Sequence, residues 1–157
     1  MRKLIVSAAL GSLLIASIAD AQERDPIQAE IKYRQAVYTL IGAHFGPIGA
    51  MMRGRQDFDL AAVQSNAATL AAVAPLAVNS FTLESHAENS DALSAIWENR
   101  ADFDEKMNNL QMGVADFAEA AATATGVDDL REAFGNVGGT CKACHDDYRA
   151  EPQNRVR

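Results

Sequence analysis

The sequence predicts an all-α chain, an antiparallel up-down-up-down four-helix bundle, from three observations. Apolar residues recur at steps of three and four in four separate stretches. Alternating strand patterns and Asn-Gly or Asp-Gly hairpin signals are missing, and two of the three connections between stretches are short.

The first helix is expected over residues 26–52. Asp25 reads as its N-cap and Pro26 as its first residue, ahead of an inward stripe of Ile27, Ile31, Arg34, Tyr38, Ile41 and Phe45. A second stripe, Leu60, Val63, Ala67, Leu70 and Ala74, starts after Asp57 or Asp59. It is expected to stop before Pro75, because proline disfavours helical geometry at the residue ahead of it. Residues 75–94 show no period, Asn79-Ser80 and Glu88-Asn89-Ser90-Asp91 read as turns, and a loop this long in a compact domain usually has a task. Trp97 opens the third stripe, which runs through Phe103, Met107, Leu110, Val114, Phe117 and Ala121 to a C-terminal cap at Gly126. Asp128 or Asp129 caps the fourth, which carries Leu130, Phe134, Val137, Cys141, Cys144 with His145, and Tyr148. Up-down order places the fourth helix beside both the first and the third. His145 should then lie level with Ile31 to Tyr38, whereas Met51 and Met52 fall about 20 Å further along at ~1.5 Å per residue.

The first residues, MRKLIVSAALGSLLIASIADAQ, have two cations, an apolar run from Leu4 to Ile18, and Ala19-Asp20-Ala21. That is the form of a secretory signal peptide over residues 1–21. The run is short of the ~20 residues a membrane span needs, and no later stretch reads as apolar for long enough, so an exported, soluble protein is expected. Removing residues 1–21 from the 157 leaves 136, one domain over 22–157, and takes the formal charge from −7 to −8. Such acidity argues against nucleic acid or an anionic membrane as partner.

The chain has two cysteines, Cys141 and Cys144, with His145 directly after the second. A disulfide closing so short a loop is a poor staple. A redox dithiol needs its thiolate at a helix N-terminus after a strand, whereas this pair lies toward a helix C-terminus, where the dipole disfavours thiolate. Structural zinc needs four ligands, and His44 and His86 are isolated elsewhere. The remaining reading is covalent haem, for which C-x-x-C-H is the attachment motif. Helical spacing of i and i+3 puts both sulfurs on one face, within reach of two vinyl groups, and the next residue brings an imidazole under the iron. Gly138-Gly139, each costing ~1 kcal/mol inside a helix, marks either close approach of backbone to a flat ligand or a kink.

The stretches KYRQAVYTLIGAHFG, IWENRADF and GNVGGTCKACHDDYR, in an exported four-helix chain with its C-x-x-C-H near the C-terminus, resemble the cytochrome c prime family of class II c-type cytochromes. The resemblance implies a periplasmic homodimer with one high-spin, five-coordinate haem c. Cys141 and Cys144 attach it, His145 is the axial iron ligand, and a crowded distal face admits nitric oxide or carbon monoxide. It further implies that Arg34 and Gln35 contact the haem propionates, that Asp91 adds a polar contact from the long loop, and that Arg149 is the basic residue beside the proximal ligand. Tyr38 stands where low-spin relatives carry a methionine ligand and five-coordinate members a noncoordinating residue.

Physical chemistry supports parts of this independently. Arg34 falls on an apolar stripe, where its charge needs a buried anion: a propionate, or a carboxylate at the core edge unless the side chain snorkels outward. Tyr38 reads as a steric lid over the iron or as a core tyrosine with a satisfied hydroxyl, since a neutral phenol is a poor ligand for ferrous iron. His44, six residues on, is turned roughly 240° away and reads as a surface histidine. His86 is on the loop. Met107 reads as core filler or as a sixth ligand, and Trp97 and Phe103 as core. The function expected is gas binding, with possible electron transfer and no catalysis. The alternative is a low-spin electron carrier ligated by Met107. A peroxidase would need a distal histidine and arginine pair, which is not recognisable.

Overall fold

The computed structural model describes residues 25–155, so the proposed signal peptide lies outside the described residues. Four long helices form the bundle. The first, α1, spans Pro26–Met52 as expected, with the Asp25 carboxylate accepting from the Ile27 amide at 2.9 Å. Gly54, at φ +67°, supplies the left-handed residue that turns the chain after it. The second helix, α2 (Leu60–Val78), is capped by Asp59, which accepts from the Ala62 amide at 3.1 Å.

Helix α2 runs through Pro75 rather than ending before it. Proline so close to a C-terminus removes one hydrogen bond from the ladder, and the burial of Ala74 and Ala77 carries the helix past it. Contrary to expectation, α2 is also long and apolar enough to cross a membrane by length and composition. Here it is a bundle helix: Val63, Ala67 and Leu70 bury against neighbouring helices, while Ala61, Ala68 and Ala72 face outward.

The third stripe is broken in two. Trp97 belongs to a short helix, α3 (Ala95–Glu98), and after Asn99 the long helix α4 covers Arg100–Thr123. Gly126 is not its cap: the chain leaves the helix at an extended Ala124, and Gly126 has no left-handed φ. The last long helix, α5 (Arg131–Tyr148), follows a 3-10 turn at Asp128–Leu130. Neither aspartate caps α5. Asp129 reaches backward, accepting from the Thr125 and Gly126 amides at 2.8 and 3.2 Å, and Asp128 pairs with Arg131 at 2.7 Å. Both therefore fix the turn instead.

Helix α2 packs between α1 and α4, and α4 packs on α5. The expected contact of α5 with α1 is far thinner, anchored toward one end by the stacked rings of Phe45 and Phe134, 5.1 Å apart. Two apolar clusters divide the core. One, around Ile48, Val63, Leu70, Val114 and Phe117, closes the end near the α1–α2 turn, each fully buried side chain contributing roughly 1.5–3 kcal/mol. The other, around Val37, Phe81, Ile96, Phe103, Met107 and Tyr148, borders the open part of the α1–α5 seam. The loop from Asn79 to Ser94 crosses this end and pairs with the chain after α5. Leu93 donates to the Tyr148 carbonyl at 3.1 Å and Ala150 to the Asp91 carbonyl at 2.8 Å.

Candidate cofactor-binding site

In the α1–α5 seam lies a cavity of about 810 Å³. Helix α1 contributes Arg34, Gln35, Tyr38 and Ile41; α4 contributes Phe103 and Met107; α5 contributes Cys141, Cys144, His145 and Tyr148. Phe81 and Asp91 of the loop, and Arg149 just beyond α5, complete the wall. This is the height the antiparallel order predicts for His145, and Met51 and Met52 are buried in the other cluster.

Both cysteines face this one space, a helical turn apart, with no disulfide between them. Burial pushes the Cys141 thiol up and that of Cys144 up to about 11. Thiolate is therefore disfavoured, the opposite of what a redox dithiol needs. Among the described residues no group of three or more His, Cys, Asp or Glu side chains could hold a bare metal ion. His145 stands at the rim. Partial burial, and behind it the Arg149 and Arg155 cations, hold its imidazole below the ordinary histidine range, leaving the neutral ring that coordinates iron. Two neutral thiols on one wall, an imidazole one residue on, apolar rings opposite and polar groups at the mouth fit a flat macrocycle with charged edges attached through sulfur.

The remaining predicted residues divide by what they touch. The Tyr38 hydroxyl donates to the Met107 sulfur at 3.7 Å, its ring meets Phe81 edge-on at 6.2 Å, and burial pushes the phenol far above its ordinary range. The expected lid and the candidate sixth ligand are thus engaged with each other. Arg34 lines the cavity, yet its four Nη hydrogens go to the loop. Nη1 donates to the Ser80 carbonyl at 3.0 Å and Ser85 Oγ at 2.9 Å; Nη2 donates to the Ser85 carbonyl at 2.9 Å and Ser90 Oγ at 2.8 Å. Its anion is Glu30, 4.0 Å away on the preceding turn, so the carboxylate alternative describes the guanidinium here. Gln35 lines the cavity and donates to the Asn89 carbonyl at 2.9 Å. Asp91, expected to add a polar contact from the loop, and Arg149, expected beside the proximal ligand, are brought together, Arg149 Nη2 donating to Asp91 Oδ2 at 2.8 Å.

His44 bonds Asn66 at 2.8 Å on the α2 side, and His86 stands by Trp97 with ring centroids 5.8 Å apart; neither lines the cavity. Phe103 lines it and Trp97 does not. Gly138 and Gly139 mark neither a break in the helix nor a wall of the cavity. Helix α5 is unbroken there, neither glycine borders the cavity, and a Cβ on either meets open space. Gly139 instead borders a shallower depression of about 400 Å³ between α4 and α5, with Lys106, Asn136 and Ala143. Sequence reasoning missed Glu30, Phe81 and Tyr148 as parts of the site. Glu30 had a signal, since it lies four residues ahead of Arg34 in the orientation that favours an ion pair.

The family model described as Cytochrome C' matches residues 29–149. A cytochrome c' from Alcaligenes xylosoxydans xylosoxydans is 38% identical over 119 residues, covering 76% of this chain and 91% of that protein. Among solved structures, cytochrome c prime from Shewanella frigidimarina superposes with a TM-score of 0.76 at 37% identity, over 80% of this chain and 97% of that one. The nitric oxide complex of a mutant cytochrome c prime from Alcaligenes xylosoxidans does so at 0.72 and 34% identity, over 80% of this chain and 96% of that one.

Proposed function

The chain belongs to the cytochrome c' family, and on that footing we propose that it is a periplasmic, high-spin gas-binding cytochrome, not an enzyme, that takes up nitric oxide or carbon monoxide. Its cofactor is covalently attached haem c. Bound in the cavity, haem c supplies an iron with one coordination position open to a diatomic gas. Cys141 and Cys144 would hold the macrocycle through their sulfurs, and His145 would ligate the iron. Tyr38, Ile41 and Met107 would form the apolar wall that admits a small ligand and excludes a large one, and Gln35 at the mouth would offer its amide to a propionate.

One observation carries this reading: Tyr38, a poor ligand for ferrous iron, lines the cavity wall in contact with Met107, its hydroxyl 3.7 Å from the sulfur. A nitric oxide complex among the structural relatives supports the choice of ligand. The test is the absorption spectrum of ferrous holoprotein with and without nitric oxide. A high-spin form that shifts on adding the gas is expected; a low-spin spectrum with a methionine-to-iron band would instead identify an electron carrier.

Residues 1–21 act in this proposal as the export signal, leaving 22–157 as the single haem-binding domain. The mature protein is a homodimer through the outer face of α1 and α2. Ala29, Tyr33, Ala36, Leu40 and Ala43 form an exposed apolar stripe along α1, and Leu76 of α2 is 41% exposed beside it.

A further inference from the structure

Glu30 is a buried carboxylate at the start of α1, remote in sequence from the haem attachment motif, with no role in the chemistry described above. It accepts from the Leu83 amide at 3.1 Å, the Thr82 amide at 3.2 Å, Ser85 Oγ at 2.9 Å and the Thr82 hydroxyl. Arg34 grips the same loop from the next turn, and Ser85 Oγ bridges them, donating to Glu30 and accepting from Arg34. The guanidinium also lies 4.7 Å from the centroid of the Phe81 ring, which lines the cavity. From Ser90, whose hydroxyl accepts from Arg34, the next residue is Asp91, which holds Arg149 at 2.8 Å four residues after His145. An unbroken series of hydrogen bonds and one peptide step thus joins the second turn of α1 to the end of the helix that bears the iron ligand.

Resting on the haem-site reading above, we infer that Glu30 is a positioning residue for the proximal side: it latches the loop so that Asp91 meets Arg149 and fixes the end of α5 under the iron. The physical reason is satisfaction. Without the carboxylate, Arg34 would be a buried cation lacking its counter-ion, and the Thr82 and Leu83 amides and the Ser85 hydroxyl would lose their acceptor. The loop would then trade its bonds to α1 for bonds to water, releasing Asp91. Spatial continuity alone does not establish coupling, so the test is a double-mutant cycle.

In the holoprotein, Glu30→Gln, Asp91→Asn and the double variant would be compared by hydrogen exchange in the loop and by the iron–histidine stretching frequency. Ser85→Ala would cut the bridge while leaving both charges, and Val63→Ala would control for general destabilisation. Glu30→Gln is expected to raise exchange at Thr82 and Leu83 at least tenfold and to shift the frequency in the same direction as Asp91→Asn. The double variant should shift it no further, and Ser85→Ala should give a smaller shift of that sign. The inference is overturned if Glu30→Gln leaves the frequency at its wild-type value, if the two shifts add, or if Val63→Ala matches Glu30→Gln. A protein without covalent haem absorbance would refute the haem reading itself, a separate failure visible before any variant is made.

Discussion

At the scale of single residues, the proposed haem site makes Tyr38 and Met107 the side chains that would decide which ligands reach the iron. Their O–H···S contact is weak, so Tyr38→Phe is expected to change stability by less than about 1 kcal/mol in thermal melts. If shape rather than the hydroxyl closes the distal face, the variant will remain high-spin, whereas Tyr38→Ala will bind carbon monoxide at least tenfold more tightly by gas titration. Glu30 makes a prediction in pH. Burial by itself would raise its carboxyl, but the hydrogen bonds from Thr82, Leu83 and Ser85 prevail and hold it below the ordinary carboxylate range. A depressed folded value means its stabilisation is fully present above the unfolded carboxylate range and fades as pH falls through the folded value. Denaturant melts should therefore show Glu30→Gln costing about 2 kcal/mol at pH 7 and progressively less below pH 4.5. The thiols and His145 were legible because their chemistry is encoded in adjacent letters. Glu30 was legible only as the helical neighbour of Arg34, because its loop partners lie more than fifty residues away in a stretch without a period.

At the scale of elements, α1 was legible to the residue because Asp25, Pro26 and a long stripe agree. Pro75 misled because the cost of proline depends on how much helix follows it, and only one further turn does. The aspartates before α5 misled for another reason: a carboxylate can satisfy amides behind it as readily as ahead of it, and Asp129 chose Thr125 and Gly126. Gly138 and Gly139 offer a direct check on element-level reasoning. Each sits inside a continuous helix with open space where a Cβ would go. Gly138→Ala and Gly139→Ala should each raise stability by about 0.5–1 kcal/mol in denaturant melts and leave the haem spectrum unchanged. A spectral change would mean that the backbone there touches the macrocycle.

At the scale of the whole molecule, the bundle was legible and its asymmetry was not, because a stripe tells which face is buried and not what buries it. Arg34 and Tyr38 lie on the inward face of α1, yet much of what they face is cavity. The outward face carries a second apolar stripe, with Tyr33 and Leu40 exposed by 40% and 45%. If that stripe joins two copies, wild-type protein will sediment as a dimer, and Tyr33→Asp with Leu40→Asp will sediment as a monomer whose spectrum is unaltered. A monomeric wild type would place the interface elsewhere or remove it. The thin α1–α5 side has its own consequence for biogenesis. With α5 packed along α4 and only thinly on α1, both thiols face a seam that a flat ring can fill without disturbing the packing of α1, α2 and α4.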